Sequence, residues 1–245
     1  MSKVSLEWKK FDWINLPFKE LDVEEGDVRL YKVSEDIKLP SMTSVLSVLK
    51  DEDGGLEQWI ERVGKEEATK IVDEAIRRGN SLHDLSERYL KNQLTRADVT
   101  GPGALLFNRS KRHIDALGPI VGVEVPLYNI EDGYAGRTDC IAFHGKDLCV
   151  VDHKNSRRKI DLTKDYARKK LFGYMVQTCG YGRAFAKMFP HLPAPTHGIL
   201  IVGNVAEMSS SMFKFKLAPL EKELDIVLDA YYNRESIKKS SFFRL

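Results

Sequence analysis

Asp139, Asp152 and Lys154 are the residues of this chain whose types and spacing could do chemistry. They lie on two runs that read as the arms of a hairpin turning at Gly145-Lys146. Side chains alternate along a strand, so Asp139, Ile141 and Phe143 share one face, as do Leu148, Val150, Asp152 and Lys154. A hairpin symmetric about Gly145-Lys146 sets Asp139 directly opposite Asp152. Like charges facing each other on paired strands are destabilising, and the flanking Cys140-Ile141-Ala142-Phe143 and Leu148-Cys149-Val150-Val151 are apolar. A divalent cation would resolve the repulsion, and hard oxygen ligands point to Mg²⁺ or Mn²⁺. Lys154, two residues beyond Asp152, could hold or deprotonate a water beside the metal and offset charge developing on phosphorus. A hairpin with a solvated polar face, and Lys154 as an ordinary salt-bridge partner, has the same spacing. Glu7-Trp8-Lys9 and Asp36-Ile37-Lys38 repeat the acidic-x-Lys pattern, so what singles out Asp152-His153-Lys154 is the apolar strand before it and the partnered Asp139.

The elements that must carry these residues are legible as a change of period near residue 120. Residues 56–92 are charged and helical in period, with Leu56, Trp59, Ile60 and Val63 at spacings of three and four. Gly64 and Gly79 are expected to divide this stretch into two or three helices. Before it, Val28 to Val33 reads as a short strand, and Leu39-Pro40-Ser41-Met42-Thr43 as a turn into a short helix. After it, Gly101-Pro102-Gly103 marks a loop, followed by a helix from about Leu105 to Leu117. Beyond Pro119 the period becomes two: Val121 to Tyr128, Ala135 to His144 and Leu148 to Asn155 read as consecutive antiparallel strands. A long helix is expected from about Leu162 to Met188, then strands near Thr196 to Val205 and Met212 to Leu217, then a helix from Pro219 to Arg234. This order predicts an α/β or α+β domain: residues 120–245 form a mixed sheet flanked by helices, and residues 1–119 a helical N-terminal part.

With the elements placed, five segments form an ordered series. Gly136-Arg137-Thr138-Asp139, Val151-Asp152-His153-Lys154-Asn155-Ser156 and Gln177-Thr178-Cys179-Gly180-Tyr181 resemble the GxxD, DxKxS and QxxxY motifs of RecB-type nucleases in the PD-(D/E)XK superfamily. Upstream, Gly79-Asn80-Ser81-Leu82-His83 resembles that family's GxxxH motif, and Leu39-Pro40-Ser41-Met42-Thr43-Ser44-Val45-Leu46 its PSxTxIL segment. The series is most similar to the mitochondrial genome maintenance exonuclease group and phage exonucleases. The resemblance implies a restriction-endonuclease-like sheet core, with Asp139, Asp152 and the carbonyl of His153 as metal ligands and Lys154 as catalytic. It gives His83 a supporting metal-side or phosphate-side role, and sets Gln177 and Tyr181 against DNA phosphate or behind the metal site. It also implies an exonuclease acting on single-stranded DNA, whose N-terminal helices shape a channel for a free end. The residues alone leave other readings open: His83 as a core or capped histidine, and Tyr181 as a residue packed on the sheet while Gln177 reaches out. Glu124 falls opposite or diagonal to Asp139, on the acidic face in either register, though an edge carboxylate facing water would sit there too.

Charge and composition bound the function. The chain's 38 Lys and Arg against 36 Asp and Glu leave +2 over 245 residues, which excludes a bulk polycation and an acidic disordered chain. The charge is segregated, however. Residues 154–170 hold eight basic and two acidic residues, hence +6 against −4 elsewhere. Such a segment starting at Lys154 suits a phosphate backbone, with Ser156, Arg157, Arg158 and Lys169 as substrate-binding candidates, although most charge runs are solvated faces. Trp59, Phe107, Tyr166 and Phe172 are candidates for stacking on unpaired bases. Cys140, Cys149 and Cys179 form no CxxC pair and cannot assemble a four-thiolate cluster, which fits a reducing cytoplasm. No apolar run approaches a membrane span, and the N-terminus lacks the pattern of a targeting signal. The expectation is a Mg²⁺- or Mn²⁺-dependent deoxyribonuclease of the bacterial or phage-infected cytoplasm. It would bind single-stranded DNA and work in replication, repair or recombination beside their proteins. The alternatives are a duplex exonuclease, a structure-specific endonuclease, or an inactive nucleic-acid-binding module.

Overall fold

The near-continuous apolar runs of the second half become the central strands of a sheet covered on both faces, as fully buried strands must be. The computed structural model describes residues 8–49, 55–157 and 159–233. Within it, β1 (Asp22–Glu24), β2 (Leu30–Lys32) and β3 (Lys38–Pro40) form a small antiparallel sheet, with α1 (Met42–Val45) following. Then come α2 (Gly55–Val63), α3 (Lys65–Leu90) and α4 (Ala104–Ile114). The main sheet contains β4 (Ile120–Asn129), β5 (Tyr134–His144), β6 (Asp147–Ser156), β7 (His197–Asn204) and β8 (Ser209–Lys216), in that order. α5 (Asp165–Met188) connects β6 to the parallel β7, all other neighbours are antiparallel, and α6 (Glu221–Asn233) closes the described chain. The architecture is α+β: a five-stranded mixed sheet and a three-stranded antiparallel one, flanked by helices.

Alternation divides the core. Ile141, Leu148 and Val150 face α5 and α6, meeting Val176, Phe185, Leu224 and Val227. Their neighbours Cys140, Ala142, Cys149 and Val151 face Leu82, Leu85, Leu106 and Phe107 of α3 and α4. The small sheet packs Leu21, Tyr31 and Leu39 on Ala135 at the start of β5, where Ser41 also bridges to Ala135. Each Val, Leu, Ile or Phe side chain fully buried in these layers contributes roughly 1.5–3 kcal/mol, which anchors the sheet that presents the candidate site on both faces.

Several expectations need correction. Gly64 does end a helix, with φ 85°, but Gly79 lies inside α3. It serves a close approach instead: a Cβ there would stand 2.8 Å from the Asn155 side-chain nitrogen. The N-terminal part is not purely helical, because β1 and β3 are three-residue strands whose pattern is too short to register. α5 begins at Asp165 rather than Leu162, and β8 at Ser209 rather than Met212. Arg234, expected to end the last helix, lies outside the described residues. Among the described residues no helix is long and apolar enough to cross a membrane.

Candidate active site

Three neighbouring strands and two helices deliver the polar residues to one place. Buried Val125, Cys140 and Val151 flank them on the strands and anchor the backbone there. On β4 and β5 the ladder pairs Val123 with Cys140 and Val125 with Thr138, which leaves Glu124 across from Asp139, as the symmetric-turn register requires. Glu124 has φ 53°, a left-handed conformation that costs a non-glycine residue on the order of 1–3 kcal/mol and marks functional positions more often than others. Arg137 Nη1 donates to the Glu124 carbonyl at 3.3 Å. β5 and β6 turn at Gly145-Lys146, pairing His144 with Asp147 and Cys140 with Val151. The β5–β6 ladder ends at that last pair. Asp139 turns its carboxylate to the backbone N–H of His153, which donates to Oδ2, rather than lying bare against Asp152.

His83 comes from α3, brought close by Gly79 one turn earlier, and its Nδ1 lies 3.2 Å from Asp139 Oδ1. One ligand atom each from His83, Glu124 and Asp139 lie within 4.8 Å of one another. Burial works against a charged His83 ring, but the Asp139 carboxylate prevails and pushes its pKa up to about 9. Burial, reinforced by Asp139, pushes Glu124 up to about 7. Burial also opposes charge on Asp139, yet His83 and His153 hold its carboxyl well below the usual range.

Asp152 is turned the other way. Lys154 Nζ donates to its Oδ1 at 2.9 Å and sits over the Tyr174 ring, 4.9 Å from the centroid. Oδ2, 2.8 Å from the same ammonium, is buried without a properly directed hydrogen bond. Burial pushes the Asp152 carboxyl up against the pull of Lys154. Lys154 itself is raised: burial lowers it, and the Asp152 and Asp139 carboxylates outweigh that. It is therefore an ammonium here, suited to electrostatic work rather than to taking a proton. A hard-oxygen and imidazole donor set, with an under-satisfied buried carboxylate oxygen beside it, fits a divalent cation.

Of the five metal-ligand candidates, then, His83, Glu124 and Asp139 converge. His153 touches Asp139 through its backbone N–H, with its ring 1% exposed, and Asp152 is engaged with Lys154. The substrate-side candidates separate. Gln177 Nε2 donates to the Tyr181 hydroxyl at 3.2 Å, and both side chains are buried. That position is behind the carboxylates and not on an open surface. The Tyr181 ring packs on Gly136, where a Cβ would stand 2.7 Å from Cε1. Gly136→Ala is therefore expected to destabilise the fold by about 1–3 kcal/mol through overpacking, read as a lower urea midpoint at unchanged slope. Ser156 and Arg157 lie at the end of β6 on the rim of a cavity. Lys169 pairs with Asp165 at 3.0 Å on α5, and Arg158 lies outside the described residues. Phe107 and Phe172 are core residues, closed to stacking, while Tyr166 is exposed and Trp59 half-buried. Tyr174 carried no expectation, yet it lies three residues before Gln177 and seven before Tyr181, a helical spacing that could have revealed it.

No protein-family model matches the chain, and no curated protein matches it. A solved structure named SSO0001 is similar over 50% of this chain and 54% of its own, at 15% identity and a TM-score of 0.24. The chain thus spans about half the length of that structure.

Proposed function

We propose that this chain is a metal-dependent DNA exonuclease that hydrolyses phosphodiester bonds, preferring single-stranded ends, in replication, repair or recombination. The observation that carries the reading is the convergence of His83, Glu124 and Asp139 beside the Asp152–Lys154 pair, at the start of a segment of charge +6. The motif series, in order along the chain, supports the same reading. A bound Mg²⁺ or Mn²⁺ would supply an activated water and neutralise phosphate charge. His83, Glu124 and Asp139 would hold it, with Asp152 held by Lys154 on the neighbouring strand. Lys154 places a fixed positive charge where negative charge grows in the transition state. Gln177 and Tyr181 lock α5 against β5 and keep the carboxylates in register, a positioning role.

The test is a time course on end-labelled linear single strands, linear duplexes and circular single strands, with Mg²⁺, Mn²⁺ or EDTA. Nucleotide release from linear single strands that EDTA abolishes, with circles left intact, is the expected result. Cutting of circles would make the enzyme an endonuclease, and faster loss of duplex a duplex exonuclease. Binding without hydrolysis under every metal would leave a nucleic-acid-binding module and overturn the proposal.

A further inference from the structure

Beside the active site, between α2 and the β6–α5 connection, lies a cavity of about 430 Å³, within the roughly 300–1,000 Å³ of ligand pockets. Its chemistry is of two kinds. Trp59 and Tyr166 supply aromatic surface, Tyr166 being 63% exposed. Arg62, Arg157, Lys159 and Lys170 supply four cations, and the described lining holds no carboxylate. The cavity adjoins the site in two ways. Ser156 on its wall follows Lys154 on β6 by two residues, about 7 Å of extended strand. Tyr174 lies between them: Lys154 Nζ is 4.9 Å from one ring centroid, and Lys170 Nζ, from the cavity wall, is 5.9 Å from the same one.

An aromatic surface ringed by cations and free of acids suits a group with a flat π-face and a negative charge. A nucleotide has both, and its base is available for stacking only when unpaired. We propose that this cavity seats one unpaired nucleotide adjacent to the scissile phosphate, with its base against Trp59 and Tyr166 and its phosphate among Arg62, Arg157, Lys159 and Lys170. The inference rests on the nuclease reading for its substrate class and adds where single-strandedness is sensed. A duplex end cannot offer a base there without fraying, so strand selection is a property of this cavity and not of the carboxylates.

The experiment measures binding of labelled oligothymidylate, its ribo counterpart, an abasic sugar–phosphate chain of equal length and a hairpin duplex to the full chain in EDTA, where nothing is hydrolysed. Trp59→Ala and Tyr166→Ala should each weaken oligothymidylate binding between about fivefold and a hundredfold, with Trp59→Phe retaining most of it. The parent should prefer oligothymidylate to the abasic chain, and the two Ala variants should lose that preference, which a general loosening of the fold would not produce. Similar losses with the ribo strand would make the cavity a base sensor indifferent to the sugar. Ala variants that bind like the parent, or a parent that binds the abasic chain equally well, overturn the inference. A parent that hydrolyses single strands while these variants bind unchanged sinks the cavity alone, whereas a parent that binds no nucleic acid sinks the nuclease reading with it. Tyr166 is exposed enough that its removal leaves the fold intact.

Discussion

Lys154→Met should lower phosphodiester hydrolysis by about 10²–10⁴-fold, the range for losing one fixed charge or one positioned proton-handling group in a transition state. Methionine keeps the apolar stem and removes only the ammonium. In the parent that ammonium lies 2.9 Å from Asp152 Oδ1 and over Tyr174, so its loss also strands a buried carboxylate. Stranding a buried charge costs on the order of 3 kcal/mol, and a fall in activity could reflect unfolding instead of chemistry. The double variant Lys154→Met/Asp152→Asn separates the two: it removes the stranded charge and should recover most of the thermal stability while staying inactive. DNA binding in EDTA should change little in either variant, because the cavity cations are untouched. A Lys154→Met protein that digests DNA as fast as the parent would end the catalytic assignment.

The sheet and its carboxylates were legible because β-hairpin register follows from the turn. Two turns, at Glu131-Asp132-Gly133 and Gly145-Lys146, suffice to place Glu124, Asp139 and Asp152 on adjacent strands. Side-chain direction at the ladder's end was not legible. Asp139 takes the His153 N–H and Asp152 takes Lys154, so two residues that register alone sets face to face divide their partners. Gln177 and Tyr181 were expected near phosphate or behind the metal, and their four-residue spacing cannot distinguish the two. Glycine at 136 on the facing strand admits the Tyr181 ring where a Cβ would clash, so the tyrosine packs on the sheet, and Gln177 is buried against it instead of reaching out. The left-handed backbone of Glu124 has no sequence signal, since nothing in glutamate favours φ 53°. The basic segment was visible as charge, but pairing of Lys169 and Arg168 with Asp165 on the helix surface diverts part of it, and Arg157, Lys159 and Lys170 line the cavity.

Metal affinity should fall by about four orders of magnitude between pH 9 and pH 6, because the ligands must shed protons before they can coordinate. His83 is raised from 6.5 to about 9 and Glu124 from 4.5 to about 7. Without a cation, each raised group favours the folded state fully below its ordinary pKa and loses that contribution as pH climbs to the folded value. The metal-free chain should therefore lose stability between pH 4.5 and about 9 through these two groups. Asp139, which is lowered, gives its stability back only in acid, outside that window. Cation binding has the opposite trend: at pH 6 an ion displaces about two protons, one from each group, and at pH 8 about one, from His83. Titration calorimetry with Mn²⁺ in buffers of different ionisation heat counts those protons directly. The metal-induced rise in melting temperature should grow with pH while the baseline without metal declines. His83→Ala should remove one proton from the count at both pH values, and Glu124→Gln one at pH 6 only. Binding that releases no protons across this range would mean that neither His83 nor Glu124 is a ligand, and would move the metal to Asp139 and Asp152 alone.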